Sequence, residues 1–217
     1  MNHQRTVKLI IIGMLFTSIS FVGMAQTKQI VKPNLYKLDA KQSKILWKGP
    51  KSVGNKHYGF LLLTAGMLNE GVNGKLINGD FTLDMKSIRS TDNKEAKKRK
   101  EVDNLLAGND FFAVAKYPTA QMRVKTITAA AQKDNYKIVG DLTMKGIKKQ
   151  IEFLATIKKI TNNKLTIQAN LTINRHAWRI DSKEKNEANF FPDIRDKLIA
   201  DEIPISLSLI LNKINIE

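Results

Sequence analysis

Apolar and polar residues alternate with a period of two through most of the chain beyond residue 35, and that pattern predicts strands. Tyr36–Asp39 and Ser43–Gly49 form two short runs separated by a polar turn, with Ile45 and Trp47 on one face. Lys56–Leu68 is apolar and β-rich and is interrupted by Gly59 and Gly66, while Gly74–Ile88 alternates through Leu76, Phe81, Leu83 and Met85. Glycines at such places mark bulges or sharp bends. Ala120, Met122 and Val124 open another alternating run, and Lys164–Asn174 and Ile203–Lys213 add two long ones.

The clearest geometry lies in Tyr136–Ala155, where Lys145-Gly146 reads as a two-residue hairpin turn. That turn sets the register: Met144 stands opposite Ile147, Leu142 opposite Lys149, Gly140 opposite Ile151, Ile138 opposite Phe153 and Tyr136 opposite Ala155. This face is apolar except for Lys149. The other face pairs Thr143 with Lys148 and Asp141 with Gln150, as a wall with one wet side requires.

One segment departs from the period of two. From Asp92 to Ala107 the apolar residues are Ala96, Val102, Leu105, Leu106 and Ala107 with charges between, which predicts a solvent-lapped helix lying over an apolar surface and ended by Gly108. Phe111 and Phe112 would plug the junction between helix and strand, and Pro118 biases Tyr117 toward an extended conformation. Residues 181–202 are charged and aperiodic around Phe190-Phe191-Pro192 and read as a long loop. About eight substantial antiparallel strands and one short helical excursion point to an all-β, closed barrel, which leaves no edges to aggregate. A barrel of about eight strands encloses one small or slender ligand.

The first 25 residues stand apart. Arg5 and Lys8 precede an apolar run from Leu9 to Met24, and Gly23-Met24-Ala25 offers small residues for a cut after Ala25, the pattern of a secretory signal peptide. The expected organisation is a signal peptide over 1–25, a polar lead-in over 26–35 and one domain over 36–217, in the periplasm or secreted. The chain has no Cys, so its stability must come from apolar burial and sheet hydrogen bonds. Its net charge is +16, and the first 25 residues carry two cations and no acid, so the remainder keeps +14. Because the Lys residues are scattered and not interleaved with aromatics, a solvated surface fits better than a nucleic-acid site, and weak attraction to an anionic membrane surface is compatible with it.

Candidate chemistry is sparse. Beyond His3, the histidines are His57 and His176, and neither has a metal-ligand spacing with a second His or paired acids. No Gly-x-Ser-x-Gly elbow or phosphate-cradling glycine motif occurs, so no catalytic residue, metal or cofactor is assigned.

Asp110-Phe111-Phe112 followed by Lys116-Tyr117-Pro118-Thr119-Ala120 resembles the YceI-like family of periplasmic, lipocalin-like barrels that hold polyisoprenoid lipids. Val139–Met144 and Gly79–Ile88 are also similar to that family, and the resemblance runs over residues 36–211. It implies binding of an isoprenoid or other long-chain lipid in an apolar lumen, without an enzymatic step. Competing readings are an enzyme acting on an amphiphile through His57 or His176, and a polyanion-binding surface.

His57-Tyr58-Gly59 is similar to the family's His-x-Gly element, so His57 either lines the cavity or is a hydrogen-bonded structural His. Asn174–Trp178 is similar to its Arg-x-x-aromatic segment, so Arg175 meets an anionic head group or clamps Asp181 or Asp201. Lys149 binds a head group or extends its charge out of the barrel end. Phe60, Phe81, Ile138, Gly140, Phe153 and Trp178 complete the expected ligand-binding set, with Gly140 expected to leave room for an apolar chain beside Ile151. Arg179, where the family often has Gly, and the long loop after it are departures.

The exported chain is expected to begin at Gln26. Intact-mass measurement of the exported protein checks this, and a mass that retains residues 1–25 contradicts it.

Overall fold

The computed structural model describes residues 34–49, 57–180 and 200–214. The expected signal peptide, the lead-in up to residue 33 and most of the loop containing Phe190, Phe191 and Pro192 lie outside the described residues. The strands are β1 (Asn34–Leu38), β2 (Lys44–Gly49), β3 (His57–Glu70), β4 (Leu76–Ser90), β5 (Thr119–Ala129), β6 (Asn135–Met144), β7 (Ile147–Thr161), β8 (Lys164–Asn174) and β9 (Glu202–Ile214). Helix α1 (Ala96–Ala107) joins β4 to β5, and a short 3-10 turn (Arg175–Trp178) follows β8.

All pairings are antiparallel, and each strand from β3 to β9 lies beside its neighbour in sequence. Strands β1 and β2 are two halves of a single stave. Strand β1 pairs the far end of β3 and the end of β9, and β2 pairs the near end of β3 and the middle of β9. Asp39 breaks the stave by accepting hydrogen bonds at its carboxylate from the Lys41 and Gln42 amides, while Ser43 fills the gap by donating its hydroxyl to the Ile210 carbonyl and accepting the Ile210 amide. Nine strands therefore make a closed, eight-stave, up-and-down barrel.

The hairpin register is the one the turn chemistry requires, from Met144 opposite Ile147 to Tyr136 opposite Ala155. Lys145 and Gly146 have φ of 49° and 72°, the pair of positive values that a type I′ turn demands. Helix α1 begins four residues later than its charge pattern suggests. Asp92 and Asn93 are engaged elsewhere: Asp92 is tied to His57 and Ser90, and the Asn93 side chain accepts the Glu95 amide. Two of the three register shifts in β3–β4 fall beside Gly59 and Gly66, where the ladder bends.

The two ends of the barrel differ. At one, short turns link β3 to β4, β5 to β6 and β7 to β8, and Tyr36, Leu68, Leu165 and Leu211 are almost completely buried. Glu70 is buried among them, paired with Lys159 and accepting from the Asn34 amide nitrogen at 2.8 Å. Burial alone would raise the Glu70 carboxyl, but the hydrogen bonds from Lys159 and Asn34 and the Lys159 charge hold it below the usual glutamate value. The same hydrogen bond raises Lys159. Burial and the Glu70 charge raise Tyr36. At the other end stand α1, the 3-10 turn and the longer connections.

Gly140 does not leave an empty slot. A Cβ there would collide with the Arg123 carbonyl and stand 2.6 Å from Met122 Cε, because β5 bulges between Val124 and Thr126 and its backbone closes over the glycine. Gly140 is a close-packing position and no part of the lumen wall.

Two stability predictions follow from this packing. Gly140→Ala is expected to cost about 1–3 kcal/mol in urea unfolding, through the forced shift of the β5 backbone. Lys159→Met is expected to cost about 1–2 kcal/mol at neutral pH, the lower part of the range for a charged hydrogen bond because Lys159 is half exposed. A lowered Glu70 contributes stability above the unfolded glutamate value and loses it as pH falls through its folded value, while a raised Lys159 contributes below the unfolded lysine value. The gap between wild type and Lys159→Met should therefore shrink in acid below about pH 4.5. Comparison of unfolding midpoints against pH checks this, and a gap that stays constant contradicts it.

Candidate functional site

The inward faces of the strands do not meet at the barrel axis. They surround a cavity of roughly 330 Å³ that continues from the middle of the barrel to the end capped by α1. Its lining side chains are aliphatic, aromatic or thioether, except for His57 and Arg175, and Gly49 adds backbone at the rim. Mid-barrel it is formed by residues such as Leu63, Phe81, Met122, Ile138, Phe153 and Ile167. Toward the capped end, Val102, Leu105 and Leu106 of α1 and the following Phe111 and Phe112 close over it. The helix has no fully buried residue, so its apolar side rests on the void and its charged side faces water. The segment after it folds back tightly: the Ala113 amide donates to Gly108, the Val114 amide donates to Ala107, and Ala113 is held at φ 46°.

His57 sits where β3 starts, at the capped end, with Nδ1 2.6 Å from Asp92 Oδ2. Asp92 also accepts the Ser90 hydroxyl. Burial would raise the Asp92 carboxyl, yet the hydrogen bonds from Ser90, His57 and its own backbone hold it below the usual aspartate value. A carboxylate at Nδ1 fixes the ring, so His57 presents an oriented imidazole edge at the rim of an apolar chamber. Asp103 braces the same corner, accepting the Ser90 amide at 2.6 Å.

Arg175 is buried at the opposite side of the rim, where β8 ends. Its guanidinium donates to the Ile180 carbonyl at 2.9 Å and to Asp201 at 3.3 Å. It is thus a clamp that holds the 3-10 turn to the start of β9, and it also contributes to the cavity wall. Asp201 accepts from the exposed His176 at 2.7 Å, and that hydrogen bond, ahead of the charges of His176 and Arg175, lowers its carboxyl. Asp181, the other expected partner of Arg175, lies outside the described residues.

The structure brings His57, Phe81, Ile138, Phe153 and Arg175 together around one cavity. Four expected residues stand elsewhere. Phe60 is on the outer face of β3, because it stands three positions from His57 and strand faces alternate. Gly140 is occupied by its neighbours, as described above. Lys149 has the inward parity but lies exposed, its charge carried into water at the barrel end rather than into the wall. Trp178 is buried in the core but outside the cavity wall, with its indole donating to the Leu142 carbonyl at 3.1 Å. Sequence reasoning missed Asp92, Ser90 and the helix leucines as parts of the site. Asp92 is 35 residues from His57, and no local spacing announces such a pair.

Among the described residues no three His, Cys, Asp or Glu side chains converge as a metal site, and no helix is long and apolar enough to cross a membrane, which says nothing of strands. No curated protein sequence matches the chain. Among solved structures, Burkholderia cenocepacia BcnA superposes with a TM-score of 0.63 at 20% identity, over 80% of this chain and 98% of that one. A polyisoprenoid-binding domain from Saccharophagus degradans superposes with a TM-score of 0.58 at 16% identity, over 82% of this chain and 97% of that one. At such identities the superpositions speak for the fold. A sequence model of the YceI-like domain matches residues 36–211, which runs from within β1 to within β9 and includes both sides of the mouth, and the chain belongs to the YceI-like family.

Proposed function

We propose that this protein is an exported carrier or reservoir for a polyisoprenoid or similar long amphiphile, held with its chain in the barrel lumen and its head at the rim beside His57 and Arg175. The observation that carries the reading is the contrast between wall and rim: an apolar chamber with two ionisable side chains, both toward the end capped by α1. Burying a methylene is worth about 0.8 kcal/mol, so a slender hydrocarbon gains affinity with length and needs no covalent step. The polyisoprenoid-binding domain from Saccharophagus degradans, with the same fold, supports an isoprenoid as the first ligand to test. The apparent signal peptide supports export.

A second reading has its own observation. The His57–Asp92 pair is the geometry of an oriented acid or base, and it borders the space an amphiphile's head would occupy. Hydrolysis of a head-group ester is the reaction class it would serve.

Mass spectrometry of organic extracts from the native protein, followed by titration with prenyl lipids, tests the first reading. Ile167→Phe with Leu209→Phe, two wall positions, should fill the lumen and weaken prenyl-lipid binding by about tenfold or more, at a stability cost of about 1–3 kcal/mol. His57→Gln with His176→Gln should change affinity only modestly and abolish no turnover on ester or phosphoester lipids. An empty protein that takes up no prenyl lipid overturns the carrier reading, and histidine-dependent hydrolysis establishes the second.

A further inference from the structure

The outer surface of the barrel is polar over most strands, with ion pairs such as Lys125–Asp141 and Lys137–Glu152 across adjacent staves. Ile77 on β4 and Leu154 and Ile160 on β7 are exposed too, and the outer face of β2 and β3 carries a larger, contiguous set. Leu46 is 45% exposed, Leu62 is 40% exposed and Tyr58 is 39% exposed, and half-buried Phe60 stands directly opposite Leu46. Lys44 and Lys48 flank Leu46 on the same face of β2, and Lys48 Nζ lies 5.9 Å from the centre of the Tyr58 ring. Arg89 is the β4 partner of Phe60, and Asp84, opposite Leu62, is the one acid in these pairings.

This strip runs up to the rim. The Thr91 amide donates to the Tyr58 carbonyl at 2.7 Å, and the chain then passes directly into Lys94, Lys97, Lys98, Arg99 and Lys100. Cations at the start of a helix oppose its dipole, and α1 has no acid in its first turn to offset them. Lys98 is paired with Glu95 and Arg99 with backbone carbonyls, while Lys94, Lys97 and Lys100 stand exposed. Local helix physics does not call for this basic run.

We infer that the β2–β3 face and the basic start of α1 form a docking surface for an anionic lipid membrane, with Leu46, Tyr58, Phe60 and Leu62 seated at the acyl boundary and the cations among the head groups. Apolar side chains ringed by Lys and Arg have the composition of interfacial anchors. The geometry places the barrel mouth at the lipid surface, where a carrier would load or release its cargo. The purpose of the surface rests on the carrier reading, and its existence does not. A second copy of this chain is the less suitable occupant, because two faces of a protein that keeps +14 beyond residue 25 repel.

Co-sedimentation of the exported protein with phosphatidylcholine vesicles, with and without phosphatidylglycerol, tests the surface. Anionic vesicles should bind at least about tenfold more tightly, with the preference falling as salt rises. Leu46→Ser with Leu62→Ser should weaken this binding by about tenfold, and Lys44→Glu with Lys48→Glu should remove the preference for anionic lipid. Lumen loading should be unchanged in both variants. Wild-type vesicle binding by a protein that takes up no prenyl lipid supports the docking surface while overturning the carrier reading. Vesicle binding unaffected by the leucine changes, or a solution dimer that those changes dissociate, overturns the docking surface.

Discussion

Closure of the hydrogen-bond ladder is the constraint on which the rest of the structure depends. A barrel with a void in the half capped by α1 has fewer core contacts to hold its strands there, so backbone pairing must run right around the ring. The weak point is the first stave, which is too short as one strand. The chain bridges it with β1 and β2 in line, and Asp39 and Ser43 satisfy the backbone groups that the break exposes. Strands β3 and β9 thereby gain partners toward both ends, and among the described residues every stave is paired with a neighbour on each side, although β7 and β8 pair only over Ala155–Thr161 and Lys164–Ala169. Because each strand from β3 to β9 pairs with its sequence neighbour, closure needs only one long-range seam, between the first stave and β9.

The asymmetry of the two ends follows from how each is sealed. Short turns let Tyr36, Leu68, Leu165 and Leu211 meet, and the Glu70–Lys159 pair finishes that floor with a carboxylate that burial would disfavour without its hydrogen bonds. At the mouth the chain spends its longer connections. Helix α1 covers the opening with one apolar side, anchored through Asp92, Asp103 and the tight fold at Ala113. A lid held by a few polar ties and partly buried leucines opens at lower cost than a floor packed at near-zero exposure. The two ionisable side chains of the wall, His57 and Arg175, also lie at that mouth.

His57 and Arg175 share that rim but stand in different states of engagement. Arg175 is buried and committed to Ile180 and Asp201, so it shapes the mouth by holding the 3-10 turn against β9. His57 is fixed at one ring nitrogen by Asp92 and borders the cavity. The same contrast separates the inside of the barrel from the outside. Exposed ion pairs between staves are worth less than about 1 kcal/mol each, and apolar residues stand exposed on the outer faces of β2 and β3 and also of β4 and β7.

The sequence by itself determined the features that depend on neighbouring residues. Lys145-Gly146 dictated a type I′ turn and so the whole β6–β7 register, because two positive φ values allow one way of reversing the chain. Alternation in 164–174 and 203–213 marked which side chains point inward, and spacing alone separates Phe60 from His57, since an odd interval changes faces. What the tertiary structure decided involves residues far apart in the chain. The bulge in β5 turned Gly140 from open space into a close contact, the Asp92 tie delayed the start of α1, and the splitting of the first stave closed the ring. Each of these depends on a backbone or charge brought in by another strand, and periodicity, which reports only the direction of a side chain, carries no information about what it meets there.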